Sequence, residues 1–255
     1  MTTSPSFRLV PLGVGDAFSD RYYSSCLFLE YGGYGMLVDC PHPIRKIMKE
    51  ASASSGLDIR VETVSTIVLT HLHADHSSGL EGIGFFAYYA AGCRIGLHAH
   101  ETVMAHVWDQ HLCGTMAPLC DPVERQRKFT DFFDLSTMTT GAPAELGPFE
   151  IRCRMTHHHV PTTALKIRAG NATLGYSADT SFDPSLIEWL SDADLIIHET
   201  NVATHTPYAR LAALPAPLRK KMRLIHYPDD FDPASSCIEC LEQGRPYVVT
   251  PSAAR

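Results

Sequence analysis

The sequence predicts an α+β chain folded as an αββα sandwich, two β-sheets packed face to face with helices on both outer faces, in a single domain spanning residues 1–255. Three observations lead there. Short apolar-rich runs recur between Gly and Asp punctuation. Stretches with helical spacing are interspersed among them. The alternation occurs in two similar halves, so each sheet needs helices to cover the face its partner sheet does not bury. A chain of 255 residues can bury a substantial core without splitting.

The elements follow in order. "FRLVPLG", "SSCLFLEYG" and "GMLVDC" read as the first strands. "PIRKIMKEASASSG" has helical spacing at Ile44, Ile47 and Met48 and closes at Gly56. "VSTIVLT" is a buried strand, followed by "GIGFFAYYAAG" as a helix, "RIGLHAH" as a strand and "ETVMAHVWDQHL" as a helix. Residues 112–145 are mixed in character and read as a loop with helical turns crossing between the halves. Strands resume with "FEIRCRMTH", "TALKIRAG" and "ATLGYSA", the last two joined by a hairpin turn at "AGNA". A helix at "SLIEWLS", a strand "DLIIHET", one helix near "PYARLAALPAPLRKKM", a strand "RLIHY" and a terminal helix around "ASSCIECLEQ" complete the chain.

Composition excludes several classes of function. The amino-terminal segment lacks a basic region followed by a long apolar core, and no later window reaches the length of a membrane span. A cytoplasmic protein with no membrane partner is the expectation. The eight cysteines are scattered and read as reduced thiols, including the "CIEC" pair Cys237 and Cys240. A formal net charge of −7 argues against broad gripping of a nucleic-acid backbone, although a small anionic substrate needs only a local field.

The chemistry concentrates in "TIVLTHLHADHSSGLEG", where His71, His73, Asp75 and His76 fall within six positions at the carboxyl end of a predicted strand. His71 and His73 are two apart in extended backbone, so their side chains leave on the same side and can converge on one cation. Asp75 and His76 follow the start of a turn and point elsewhere. One tetrahedral ion has no use for four such neighbours, whereas two ions about 3.5–4 Å apart can clamp the attacking and leaving oxygens of a displacement.

The His-x-His-x-Asp-His pattern after a strand resembles the signature of the metallo-β-lactamase fold, and the resemblance extends from about Leu9 to Tyr227. It implies a third histidine for the first ion in "MTHHHVPTTALKI". Strand parity from Ile151, Cys153 and Met155 favours His157, whereas the proline three positions after the ligand in ribonuclease-Z-like members selects His158 through Pro161; the reading adopts His158 over His157 and His159. The bridging aspartate is implied at Asp179 in "GYSADTSFD", with Ala178 in place of the usual glycine, and the last histidine at His226 in "RLIHYPDD". By this correspondence His71, His73 and His158 hold one ion, Asp75, His76 and His226 the other, and Asp179 spans both. Zinc is the default for such donors, with manganese and iron also compatible.

"DADLIIHETNVATHTPY" is similar to the ribonuclease-Z-like branch of that fold. Carried over by position, Glu199 and His205, with Thr206 beside them, assist proton transfer; Asp75 counts with them as catalytic. Asp39 is expected to support the site floor, His42 to touch its edge and His198 to face the core. The long tRNA-gripping arm of the branch is absent from the sequence, so extended tRNA binding is not expected. The resemblance therefore implies a dinuclear phosphodiesterase acting on a small phosphodiester, such as a cyclic nucleotide or short oligonucleotide, through a metal-bridging hydroxide. A thioester or lactone hydrolase is the alternative, and a non-catalytic metal-binding scaffold or sensor a weaker one. A homodimer is compatible with either enzyme.

Overall fold

The computed structural model describes residues 6–120 and 122–252. The first half runs β1 (Phe7–Gly13), β2 (Cys26–Tyr31), β3 (Tyr34–Val38), α1 (Ile44–Ser55), β4 (Val64–Leu69), α2 (Ala74–Ser77), α3 (Leu80–Phe86), β5 (Ile95–His100) and α4 (Glu101–His106). The crossing segment supplies α5 (Cys113–Met116), a small hairpin of β6 (Pro118–Cys120) and β7 (Glu124–Gln126), α6 (Phe129–Phe132) and β8 (Phe133–Met138). The second half continues with β9 (Ala144–Leu146), β10 (Phe149–Met155), β11 (Thr163–Ala169), β12 (Ala172–Tyr176), α7 (Pro184–Leu190), β13 (Leu195–Glu199), α8 (Tyr208–Ala212), α9 (Ala216–Lys220), β14 (Met222–Ile225) and β15 (Tyr247–Val249).

Two mixed sheets form the body. One is ordered β15-β1-β2-β3-β4-β5-β8 and the other β14-β13-β12-β11-β10-β9. The period of two along each strand divides the side chains between layers. On β2, Leu27 and Leu29 join the layer between the sheets, where they share a core with Ile151, Leu165 and Ile167, while Phe28 turns to the outer layer with Ile44, Ile47 and Met48 of α1. On the other side of the sandwich, Leu186 and Leu190 of α7 pack on the second sheet, and the absence of a side chain at Gly175 admits Leu190, whose Cδ2 would lie 3.0 Å from a Cβ there.

Several elements differ from the sequence expectation. The crossing segment is not loop with helical turns alone: β8 pairs in parallel with β5 and extends the first sheet. The carboxyl-proximal helix breaks in two because Pro215 follows α8 and caps α9. No helix forms around "ASSCIECLEQ". Beyond a single turn at Pro233–Ser235 the chain runs extended beside β14, with Leu224 N–H donating to Glu239 O (2.9 Å) and Leu241 N–H to Leu224 O (2.9 Å). Satisfying the open edge of β14 outweighs a short helical preference, and it buries Cys240 while leaving Cys237 exposed. Among the described residues no helix is long and apolar enough to cross a membrane.

The parallel ladders position the site. β3–β4–β5–β8 in one sheet and β12–β13–β14 in the other are parallel, so the loops leaving β3, β4, β12, β13 and β14 carry Asp39, the histidine cluster, Asp179, the segment after Glu199 and His226. Thr163 N–H donates to Thr70 O (3.2 Å) and ties the sheets together beside the cluster.

Candidate metal centre

The segment after β4 becomes a cluster because the strand ends before its polar residues begin. His71 and His73 remain in extended backbone, and the chain then turns into α2, with His73 as its N-cap residue. Their rings meet edge to face at 4.8 Å between centroids. The short helix rotates Asp75 and His76 away from that pair. Gly79 closes the turn: its N–H donates to Cys40 O (2.7 Å), and a Cβ there would lie 2.5 Å from Pro41 O, which holds the helix against the loop that carries Asp39.

Asp39 organises the floor. Its carboxylate is fully buried and accepts from Thr70 N–H (2.8 Å) and the Thr70 hydroxyl (2.9 Å). It also lies 2.8 Å from His76 Nδ1. Because the Thr70 proton is committed to Asp39, Thr70 Oγ1 can only accept from His71 Nδ1–H, 3.0 Å away. Both imidazoles are thereby fixed with Nε2 as the lone-pair nitrogen. Both Nε2 atoms are buried and have no hydrogen-bond partner.

β10 ends at Met155, and its loop closes through Thr156 N–H to Thr162 O (3.0 Å). This turn breaks the strand parity. His157 is left 74% exposed, with Nε2 3.6 Å from Asp183, whereas the His158 side chain is fully buried. His158 Nε2 lies 3.1 Å from His73 Nδ1 and 3.8 Å from Asp179 Oδ2. His159 is exposed, its ring tilted by 42° against that of His73 with centroids 4.7 Å apart.

Asp179 stands between two groups of donors. On one side are His71, His73 and His158, and on the other Asp75, His76 and His226. His71 Nε2 is 3.7 Å from Asp179 Oδ2, His76 Nε2 is 3.4 Å from Oδ1, and His226 Nε2 is 3.6 Å from Oδ2. His76 and His226 each place Nε2 3.3 Å from Asp75 Oδ2. A tetrahedron of donors about 2.0–2.1 Å from a cation has edges of roughly 3.3 Å, close to these separations. Buried nitrogens without partners, at cation-sharing distances around carboxylates, fit divalent metal better than a hydrogen-bonded core.

The electrostatics differ between the two donor groups: burial opposes charge on His76, but Asp179 and Asp39 pull it well above its ordinary range. Burial, with the neighbouring imidazoles, holds His71 well below its ordinary range, and burial pushes His158 down to about 4, so both stay neutral as metal ligation requires. Burial also opposes charge on His226, but Asp179 and the Asp75 hydrogen bond override it and raise it to about 8. The carboxylates thus demand positive charge at the centre, which protons supply only partly.

Glu199, at the end of β13, is buried, and its Oε1 collects Thr180 N–H (2.8 Å), His205 Nδ1 (3.0 Å) and the Thr206 N–H (3.4 Å). Burial raises the Glu199 carboxyl. Burial disfavours charge on His205, yet the Glu199 hydrogen bond and charge raise it above the ordinary histidine range. With Nδ1 on Glu199, Nε2 is the His205 nitrogen that does not face the carboxylate. His198, on the same strand, is fully buried with Nδ1 2.7 Å from Glu199 O, and His42 is exposed, its N–H on Ser78 Oγ (3.0 Å).

A cavity of about 680 Å³ opens over the centre, lined by His73, Asp75, Asp179, His205 and His226 together with residues from two loops that the sequence reading did not single out. Asp16 and Asn201 join those loops. Asn201 Nδ2 donates to Asp16 Oδ2 (2.9 Å) and to His226 O (3.2 Å), so one amide connects both rims to the backbone of a cluster histidine. The only available signal was position: each follows a predicted strand end, in "GDAF" and "HETN".

Comparison with known proteins accords with this geometry. The structure matches the metallo-β-lactamase fold protein YhfI from Bacillus subtilis, with a TM-score of 0.74, 19% identity and coverage of 96% of this chain and 100% of that one. It also matches the short form of human tRNase Z, with a TM-score of 0.68 and 17% identity over 95% of this chain and 99% of that one. The chain therefore has the metallo-β-lactamase fold. In sequence it is 29% identical to Anti-Pycsar protein Apyc1 of Saccharibacillus brassicae over 257 residues, covering 95% of this chain and 100% of that protein. A family model described as Anti-Pycsar protein Apyc1 matches residues 7–247, and with that span matched the chain belongs to the Anti-Pycsar protein Apyc1 family.

Proposed function

We propose that this protein is a metal-dependent hydrolase that cleaves a small phosphodiester, with a cyclic nucleotide as the leading substrate class. The carrying observation is the His205–Glu199 pair, 3.0 Å apart, beside Asp179 and over the two donor groups. An imidazole held by a buried carboxylate is suited to deliver a proton to a departing alkoxide. A carbonyl substrate with a good leaving group would need it less.

His71, His73 and His158 would hold one divalent ion, Asp75, His76 and His226 a second, and Asp179 would be shared between them. Two such ions, zinc by default, would supply Lewis acidity toward the phosphoryl oxygens and lower the pKa of attacking water. The protein's share of the work is orientation. Thr70 and Asp39 fix the tautomers, Asn201 anchors the His226 backbone, and Glu199 orients His205. No lysine or arginine lines the cavity among the described residues, so a long polyanion finds no cationic track there. A small diester can be met by the metal charge alone.

The test is a panel of cyclic nucleotides, dinucleotides, thioesters and lactones assayed on protein of defined metal content. Conversion of a cyclic nucleotide to its monophosphate, lost on chelation and restored by zinc or manganese, is the expected result. Turnover of thioesters or lactones with no phosphodiester cleaved would overturn the proposal.

A further inference from the structure

Of the five large apolar side chains that remain exposed among the described residues, two, Phe18 at 93% and Val202 at 70%, line the cavity that lies over the candidate metal centre. Scattered exposed apolar groups need no explanation, but two at the mouth of one functional cavity do. Both belong to loops fixed at their bases. Phe18 N–H donates to Asp16 Oδ1 (2.9 Å) and Val202 N–H to Asn201 Oδ1 (2.7 Å), and the Asp16 and Asn201 side chains bond each other at 2.9 Å. The backbones of the two apolar residues are therefore joined through a single side-chain bridge, which also holds His226 O. This ties the backbone at an aromatic residue and at a branched aliphatic residue on neighbouring rims, which lowers the main-chain ordering cost when a ligand arrives.

We propose that Phe18 and Val202 form the subsite for the nucleobase of the substrate, the ring stacking on the base and the valine packing against it. The inference rests on the phosphodiesterase reading and adds what the floor cannot supply. On that reading the floor meets the phosphate, and no lysine or arginine among the described residues lines the walls to add affinity. A flat, partly apolar base is the portion of a nucleotide that an exposed ring on a preformed rim can bind. Stacking is tolerant of base identity because every base presents a π-face. The subsite therefore predicts affinity for nucleotides over base-free phosphates, with modest preference among bases.

The experiment compares equilibrium binding of adenosine 5′-monophosphate and ribose 5-phosphate, by calorimetry on the metal-loaded protein, for wild type, Phe18→Ala and Phe18→Tyr. Phe18 is almost fully exposed, so neither substitution disturbs the core. Wild type should bind the nucleotide about 5- to 150-fold more tightly than the sugar phosphate, the range expected for one stacked base. Phe18→Ala should abolish that ratio while leaving ribose 5-phosphate affinity unchanged, and Phe18→Tyr should retain it. Equal binding of the two ligands by wild type, or a uniform loss on both in Phe18→Ala, overturns the subsite. Preferential nucleotide binding that depends on Phe18, in a protein that hydrolyses no phosphodiester, would uphold the subsite and overturn the proposed reaction instead.

Discussion

Asp39 Oδ2 lies 2.8 Å from His76 Nδ1, and the same carboxylate holds Thr70, whose hydroxyl lies 3.0 Å from His71 Nδ1. One buried acid thus sets the tautomer of a histidine in each donor group, although it is a member of neither. The backbone at Asp39 is left-handed, with φ 66°, a conformation that aspartate tolerates better than most residues. Strain of this kind is kept where the surrounding structure requires a particular side-chain direction.

Asp39→Asn should therefore lower metal affinity without removing a ligand. The amide keeps the shape but offers only one oxygen where the carboxylate offers two. Loss of such a supporting group typically costs 10- to 100-fold in metal affinity. Competition with a chromogenic chelator measures it. Wild-type affinity in a folded Asp39→Asn protein would show that the tautomers are set by other contacts.

The triple histidine separates by burial. His158→Ala should lose metal and activity together, because its Nε2 lies 3.1 Å from His73 Nδ1 in the donor group. His157→Ala should keep both, since that ring is 74% exposed and faces Asp183. Metal content by elemental analysis, measured with turnover, decides between them. Collapse at His157 with tolerance at His158 would reverse the assignment.

Much of the centre was legible in the sequence because four of its donors are adjacent on one strand end, where the period of two and a following turn are readable. His158 was not settled by the same logic. Parity holds only while the strand lasts, and β10 stops at Met155. The Asp16–Asn201 bridge spans 185 positions, and no local periodicity encodes it. Likewise β8 and the extended run at Glu239–Leu241 take their form from the edge they cover, a tertiary demand that short-range propensity does not express. The helix of the first half was readable for the opposite reason: Ile44, Ile47 and Met48 line one face and Gly56 ends it at φ 72°, all within local reach.

Ala178 tests how finely Asp179 is placed. Its φ of 48° is the conformation that favours glycine, and the strain of a Cβ there is worth about 1–2 kcal/mol. The methyl group is fully buried, however, and burying one carbon is worth about 0.8 kcal/mol, while glycine adds about 0.5–1 kcal/mol of unfolded-state entropy. These contributions nearly cancel. Ala178→Gly should change stability by less than about 1 kcal/mol in a denaturant titration, whereas Ala178→Val, branched at a positive φ, should destabilise clearly and reduce metal binding through Asp179. A large loss in the glycine variant would mean that the methyl packing dominates.

The role of His205 is separable from metal binding by choice of leaving group. A nucleotide alkoxide is a poor leaving group and needs a proton as the bond breaks, and general acid help of this kind is worth roughly 10²- to 10⁴-fold in rate. A p-nitrophenolate departs unprotonated. His205→Ala should therefore lose most of its activity on a cyclic nucleotide while retaining much of the wild-type rate on bis-p-nitrophenyl phosphate, with metal content unchanged. Glu199→Gln should follow the same pattern more mildly, because the amide can still accept from His205 Nδ1, now 3.0 Å from Oε1, but carries no charge to stabilise the protonated ring. Equal losses on both esters, with metals in place, would make His205 a positioning residue for the substrate and leave the proton to come from water.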